Sequence, residues 1–261
     1  MCRTLILSDI HFCKRGSTIH SFEQLRPLWQ GFDAVVLNGD TLELHCDKYA
    51  EKSKIANDRL HEMANEDGVQ LSMICGNHDP TASSLEHKWY WGKKVLVFHG
   101  HAPIFGGAPW SWRYKHFAKS YEEHLQQYGD GFNEQLAAVR VASIQSASGA
   151  FNYDKPSAFQ MLLSIVPAIY KILKCWMQYP SLVIKWSDKF APSATFLVTG
   201  HTHHAGIWKR DGKVIINTGC FGFPSHPRAV VINDDTLTVY TLKNRKGTYE
   251  FGRVCASWNA R

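Results

Sequence analysis

Five short polar clusters are the residues of this chain whose types and spacing could do chemistry. They are Asp9-Ile10-His11, Asn38-Gly39-Asp40, Gly76-Asn77-His78-Asp79, His99-Gly100-His101 and Gly200-His201-Thr202-His203-His204. Together they offer imidazoles, carboxylates and an amide oxygen, with no thiolate among them. That donor set favours a borderline or fairly hard divalent ion such as Mn²⁺, Fe²⁺ or Zn²⁺ over a structural zinc–cysteine site. The candidate ligands are too many for one ion. They suit two ions sharing a carboxylate, about 3.5–4 Å apart, an arrangement that stabilises both oxygens of a phosphoryl displacement. Asp9 and His11 are spaced i, i+2, as are His201 and His203. In an extended segment each pair points one way, and His204 points the other. His204 is therefore expected not to be a ligand.

Each cluster needs an element to position it, and each follows an apolar run. Strands are expected over 3–9, 33–40, 69–79, 94–100 and 195–201, rich in Val, Ile and Leu as in sheets covered on both faces. Helix-like segments over roughly 18–30 and 47–66 alternate with the early strands, which predicts an α/β layered core. Ligands bind at the carboxyl ends of such strands. Asp211-Gly212 marks a hairpin, and an antiparallel meander is expected after it. Residues 102–194 separate two strands that read as neighbours. Leu162, Ile165, Val166, Ile169, Ile172, Leu173 and Trp176 follow helical spacing there, with Pro167 expected to kink or split the helix. The expected organisation is a core of 1–101 and 195–261 with a helical cap insertion of 102–194.

The chain has 261 residues, 44% apolar, with a formal charge of +6 from 29 basic and 23 acidic side chains. This is enough for a substantial core. The mild basic excess suits an anionic substrate and is no nucleic-acid signature. Seven irregularly spaced cysteines without a CxxC predict free thiols in a reducing cytosol. Cys75 and Cys220 flank motif segments and read as packing residues. No run of about 20 apolar residues occurs, so a spanning helix is not expected. The expectation is a cytoplasmic protein, soluble or peripheral to the membrane.

The ordered set DxH, GD, GNHD, HG and GHTH resembles the calcineurin-like metallophosphoesterases. It covers most of 1–101 and 195–240. Each piece alone is common, but all five in order at strand ends are specific. The resemblance implies an α/β fold, a four-layer αββα sandwich with metals at the strand carboxyl ends. It implies one ion on Asp9, His11, Asp40 and His203, and a second on Asp40, Asn77, His99 and His201, with Asp40 bridging. It implies a metal-dependent phosphohydrolase, two divalent ions with Mn²⁺ foremost, and in-line attack on phosphorus by a hydroxide held between them. His78 would stabilise the transition state or protonate the leaving oxygen, and Asp79 would orient its ring.

The helical insertion also resembles the layout of UDP-2,3-diacylglucosamine pyrophosphatases, which act on a lipid-linked nucleotide at the inner membrane face. That subfamily commonly has Arg where this chain has His78. Expected partners are therefore a phosphorylated small molecule or a lipid-linked nucleotide, without nucleic acid. Peripheral membrane contact is expected through the cap, which carries nine basic and six acidic residues. Trp110, Trp112, Arg113, Lys115 and His116 are candidates to grip a phosphate or the membrane interface. A non-catalytic binding scaffold is the contrasting class. The same fold includes such modules, a retromer subunit among them, but they tend to lose ligands that this chain retains.

Overall fold

The computed structural model describes residues 2–104, 114–147 and 158–260. It divides into two compact units, Met1–His99 with Ser193–Arg261, and Gly100–Pro192.

The first unit is built on two sheets. Strands β1 (Thr4–Leu7), β2 (Ala34–Asn38) and β3 (Gln70–Ile74) are parallel neighbours. They join β9 (Arg228–Ile232), β10 (Thr236–Arg245) and β11 (Thr248–Asn259) in the order β11-β10-β9-β1-β2-β3. The second sheet has β4 (His87–Tyr90), β5 (Val95–Phe98), β6 (Phe196–Thr199), β7 (Gly206–Arg210) and β8 (Lys213–Asn217) in the order β4-β5-β6-β8-β7. Residues 95 and 196 lie 101 positions apart in sequence, yet β5 and β6 pair in parallel register. The Asp211-Gly212 turn takes positive φ at both residues, 52° and 74°, and joins β7 to β8 as a hairpin.

Alternation along the strands builds the layers. Ile6, Val36, Ile74, Val95, Val97, Val198, Ile216 and Val230 form one buried cluster drawn from both sheets. The neighbours Leu5, Leu7, Val35 and Leu37 point the other way, into a cluster with Leu60 and Met63 of α2 (Asp47–Glu66) and with Phe22 and Trp29. The unit is thus a helix layer on one sheet and a second sheet packed on its inner face. The expected helix over 18–30 is smaller in the structure. A 3₁₀ turn at Phe22–Gln24, capped by Ser21, leads into the one-turn α1 (Arg26–Trp29). Strands β4 and β11 are additional to those expected from sequence.

The second unit is helical among the described residues: a 3₁₀ turn at Ala102–Ile104, then α3 (Tyr114–Tyr128), α4 (Phe132–Ala147) and α5 (Ala158–Phe190). α5 is one continuous element through Pro167 and Pro180, so of the kink or split expected at Pro167 the split does not occur. Pro167 is exposed, where water can satisfy the carbonyl that a proline strips of its partner. The side chains of Leu162 and Ile165, and residues Trp110, Trp112 and Arg113, lie outside those described. No helix among the described residues is long and apolar enough to cross a membrane.

Polar contacts at Asp67 help fasten the helix layer. Asp67, closing α2, accepts Trp29 Nε1–H at 2.8 Å and the Arg26 guanidinium at 2.6 Å, joining α1 to the end of α2. Hydrogen bonds from Arg26 and Trp29 lower the Asp67 pKa. A lowered native pKa means that the stabilisation is present above the unfolded value and is lost as pH falls through the native one. Asp67→Ala is expected to cost about 1–3 kcal/mol in urea unfolding at neutral pH. The gap between variant and wild type should begin to narrow below about pH 4 and go on narrowing as pH falls through the lowered native value.

Candidate metal centre

The parallel strands end at one edge and deliver the motif residues there. Asn38, at the end of β2, donates from its side-chain amide to the Phe98 carbonyl at 3.0 Å, which joins the carboxyl ends of the two sheets. The chain then turns sharply. Asp9, His11, Asp40, His201 and His203 all adopt left-handed backbone, with φ between 49° and 65°. The expectation of extended i, i+2 pairs is corrected here: the pairs converge through left-handed turns, not through the pleat of a strand. Such conformations are costly for non-glycine residues and persist where the surroundings fix them.

Of the three groups of donor atoms that result among the described residues, one is His11, Glu43 and His78, and the other two share Asp40. Asp9, His11, Asp40 and His203 offer ligand atoms that all lie within 4.8 Å of one another. Asp40, His99 and His201 do the same, with Asp40 common to both groups. Asn77 Oδ1 lies 3.3 Å from His99 Nε2, beside that last group. His204 belongs to none of the groups; its ring lies against Trp208. His101 is buried in the helical unit.

The ring orientations fit a cation. His11 Nδ1–H donates to Glu43 at 2.7 Å, His78 Nδ1–H to Glu43 at 2.9 Å, and His99 Nδ1–H to the Asn38 carbonyl at 3.0 Å. Each Nδ1 is thereby occupied and each Nε2 faces the Asp40 carboxylate, at 3.7 Å, 4.0 Å and 3.4 Å respectively. Fixing Nδ1–H leaves Nε2 of His11 and His99 as the metal-binding atom, and Nε2 of His78 open to a substrate. His11 Nε2 and His203 Nε2 face each other at 2.9 Å, and His203 Nε2 lies 3.3 Å from Asp9. A divalent ion suits this nitrogen-and-oxygen set.

The protonation pattern follows from burial and charge. Burial works against a charged His99, but Asp40 outweighs it and pushes the ring up to about 9. Burial likewise opposes a charged His203, and the hydrogen bond to Asp9 carries it up to about 10. His11 goes the other way, down to about 4, because burial outweighs its contact with Glu43. Burial raises Asp40, yet His99 and His78 hold it well below the usual carboxylate range.

Two roles differ from the sequence reading. Asp79 does not orient the His78 ring. Its carboxylate is fully buried and accepts backbone N–H groups from Asp40, Thr41, Leu42 and Gly76 at 2.8–3.1 Å. It pins the Asp40 turn against the Gly76 turn, and its pKa is raised to about 6 by burial and by Asp40. Glu43 holds the ring instead, and sequence reasoning missed it. Its side chain is buried and spans His11 and His78, with Lys14 Nζ 3.4 Å away. The available signal was an acidic residue three positions after Asp40, within a strand-end loop.

Close packing shapes the centre. A Cβ on Gly200 would overlap the Asp9 carboxylate and Ser8 Oγ, and one on Gly76 would overlap the Asp40 carboxylate and backbone. A recess of about 70 Å³ opens beside Asp9, His11 and His203, with Lys14, Arg15 and the exposed Phe223 along its wall.

A family model described as calcineurin-like phosphoesterase matches residues 2–205. No curated protein matches the chain. Among solved structures, Vacuolar Protein Sorting 29 from Cryptosporidium parvum is 12% identical with a TM-score of 0.49, covering 99% of this chain and 98% of that one. A dimetal phosphatase from Danio rerio is 12% identical with a TM-score of 0.47, covering 96% and 98%. Vps29 from Entamoeba histolytica complexed with Zn²⁺ is 13% identical with a TM-score of 0.45, covering 99% of both chains.

Glu43→Ala frees two rings at once. It is expected to weaken Mn²⁺ binding about 10–100-fold by titration calorimetry, as loss of a carboxylate behind metal-bound imidazoles does. Glu43→Gln, which still offers one carbonyl acceptor, should lose less.

Proposed function

Because the chain belongs to the calcineurin-like phosphoesterase family, we propose that it is a dinuclear, metal-dependent phosphohydrolase. The observation that carries this reading is Asp40, shared by two donor groups and faced by three oriented imidazoles. Asp9, His11, Asp40 and His203 would hold one ion, and Asp40, Asn77, His99 and His201 the other. Mn²⁺ is the proposed metal. Bound there, divalent ions supply Lewis acidity toward a phosphoryl oxygen and neutralise developing charge.

The chain's own groups do the rest. Lys14 and Arg15, on the wall of the recess beside His11 and His203, provide positive charge for a phosphate. His78 is the proposed acid. Its side chain keeps 21% exposure while Glu43 holds Nδ1, so Nε2 stays available to a leaving oxygen. Asp79 acts as a positioning residue, through the backbone of Asp40.

The seven described free cysteines suit a reducing compartment and support a cytoplasmic location. A narrower substrate, a lipid-linked nucleotide cleaved at its pyrophosphate, draws support from the exposed apolar face of the helical unit. Release of UMP from a lipid-linked UDP-sugar would establish it, and no release would remove it. The scaffold reading is disfavoured because every ligand type and His78 are retained.

Mn²⁺-loaded protein is expected to cleave at least one of p-nitrophenyl phosphate, bis-p-nitrophenyl phosphate and pyrophosphate. Failure on all three would sink the proposal. His78→Ala should lower kcat about 10²–10⁴-fold with metal content unchanged by atomic emission. His204→Ala should change neither quantity.

A further inference from the structure

The helical spacing of 162–176 marks one apolar face of α5. The structure divides it. The C-terminal half of α5 is buried through Cys175, Tyr179, Val183, Ile184 and Trp186, and Tyr179 Oη donates to the Gly100 carbonyl at 3.1 Å. Between residues 166 and 177 the opposite side of the helix exposes its apolar side chains. Val166 is 74% exposed, Ile169 50%, Tyr170 64%, Leu173 48% and Met177 74%. Positions i, i+3, i+4, i+7 and i+11 form one stripe along the helix, about 18 Å long at 1.5 Å per residue. A soluble surface rarely carries so continuous an apolar strip without a partner.

We propose that this stripe docks the protein on an anionic lipid surface, with α5 lying in the plane of the interface. Charge selects that occupant. Lys174 and Lys171 are exposed on one flank of the stripe, and α5 carries no acidic residue before Asp188. In a contact of α5 on the α5 of a second copy, residues 158–187 would bring lysines and no carboxylate. An anionic headgroup layer pairs both lysines while the acyl boundary takes the stripe. Tyr170 has the apolar ring and polar tip that settle at such a boundary. α5 does not qualify as a membrane span, so the contact is a peripheral one. The proposal stands apart from the hydrolytic reading, because it requires no reaction.

The test is co-sedimentation of the full chain with vesicles of phosphatidylcholine alone, and with equimolar phosphatidylcholine and phosphatidylglycerol. The expected result is binding to the anionic vesicles, weakened by salt, and at least about tenfold weaker binding to the neutral ones. Ile169→Glu with Leu173→Glu should lower the anionic partition about tenfold or more, because the apolar anchor is lost. Lys171→Glu with Lys174→Glu should lower it similarly and remove the salt dependence. All four side chains are exposed, so circular dichroism should match wild type. Equal binding to both vesicle types would overturn the proposal, as would wild-type binding by the Ile169/Leu173 variant. So would sedimentation equilibrium showing a dimer that the same variant dissociates, with vesicles unbound.

Discussion

The Asp40 side chain is 2% exposed, and His11, His78 and His99 turn their Nε2 atoms toward its carboxylate from 3.4–4.0 Å. A buried carboxylate loses several kcal/mol of hydration unless cations or hydrogen bonds replace it. Here the replacement is assembled from three motif segments, contributing His11, His78 and His99. The position of Asp40 therefore sets where β1, β2, β3 and β5 must end relative to one another, and the centre reports on the whole two-sheet core.

Asp40 is held in turn by backbone. Its Oδ1 accepts the His78 N–H at 2.8 Å, and its own N–H is held by Asp79 at 3.0 Å. Asp79 binds four N–H groups from two loops, so a second buried carboxylate makes the Asp40 turn and the Gly76 turn into one rigid body. Left-handed backbone at Asp9, His11, Asp40, His201 and His203 is strain that these bonds must hold. Gly76 and Gly200 are required because the neighbouring carboxylates occupy the space of a Cβ. Preorganisation of this kind keeps donor atoms converging before any ion arrives.

Much of this was legible in the sequence because the site sits where strand ends meet turns, and both leave local signals. Apolar runs ending in Asp9, Asp40, Asn77, His99 and His201 located the strands and the donors together. The Asp211-Gly212 hairpin was equally plain. What escaped depends on tertiary contact. Glu43 has no local mark that sets it apart from any loop acid; its role exists only because His11 and His78 approach it from different segments. Asp79 sits beside His78 in sequence, yet it faces backbone rather than the ring. The spacing of α5 disclosed an apolar face but not which half would be covered. Strand β11 owes its place to pairing with β10, although Gly252 and Arg253 weaken its own pattern.

The central claim is that two divalent ions share Asp40. Anomalous diffraction from crystals grown with Mn²⁺ addresses it directly. The account predicts two peaks about 3.5–4 Å apart, one among Asp9, His11 and His203, the other among Asn77, His99 and His201, with Asp40 between them. A single peak that Asp40 does not touch, or no peak at either donor group, would contradict it.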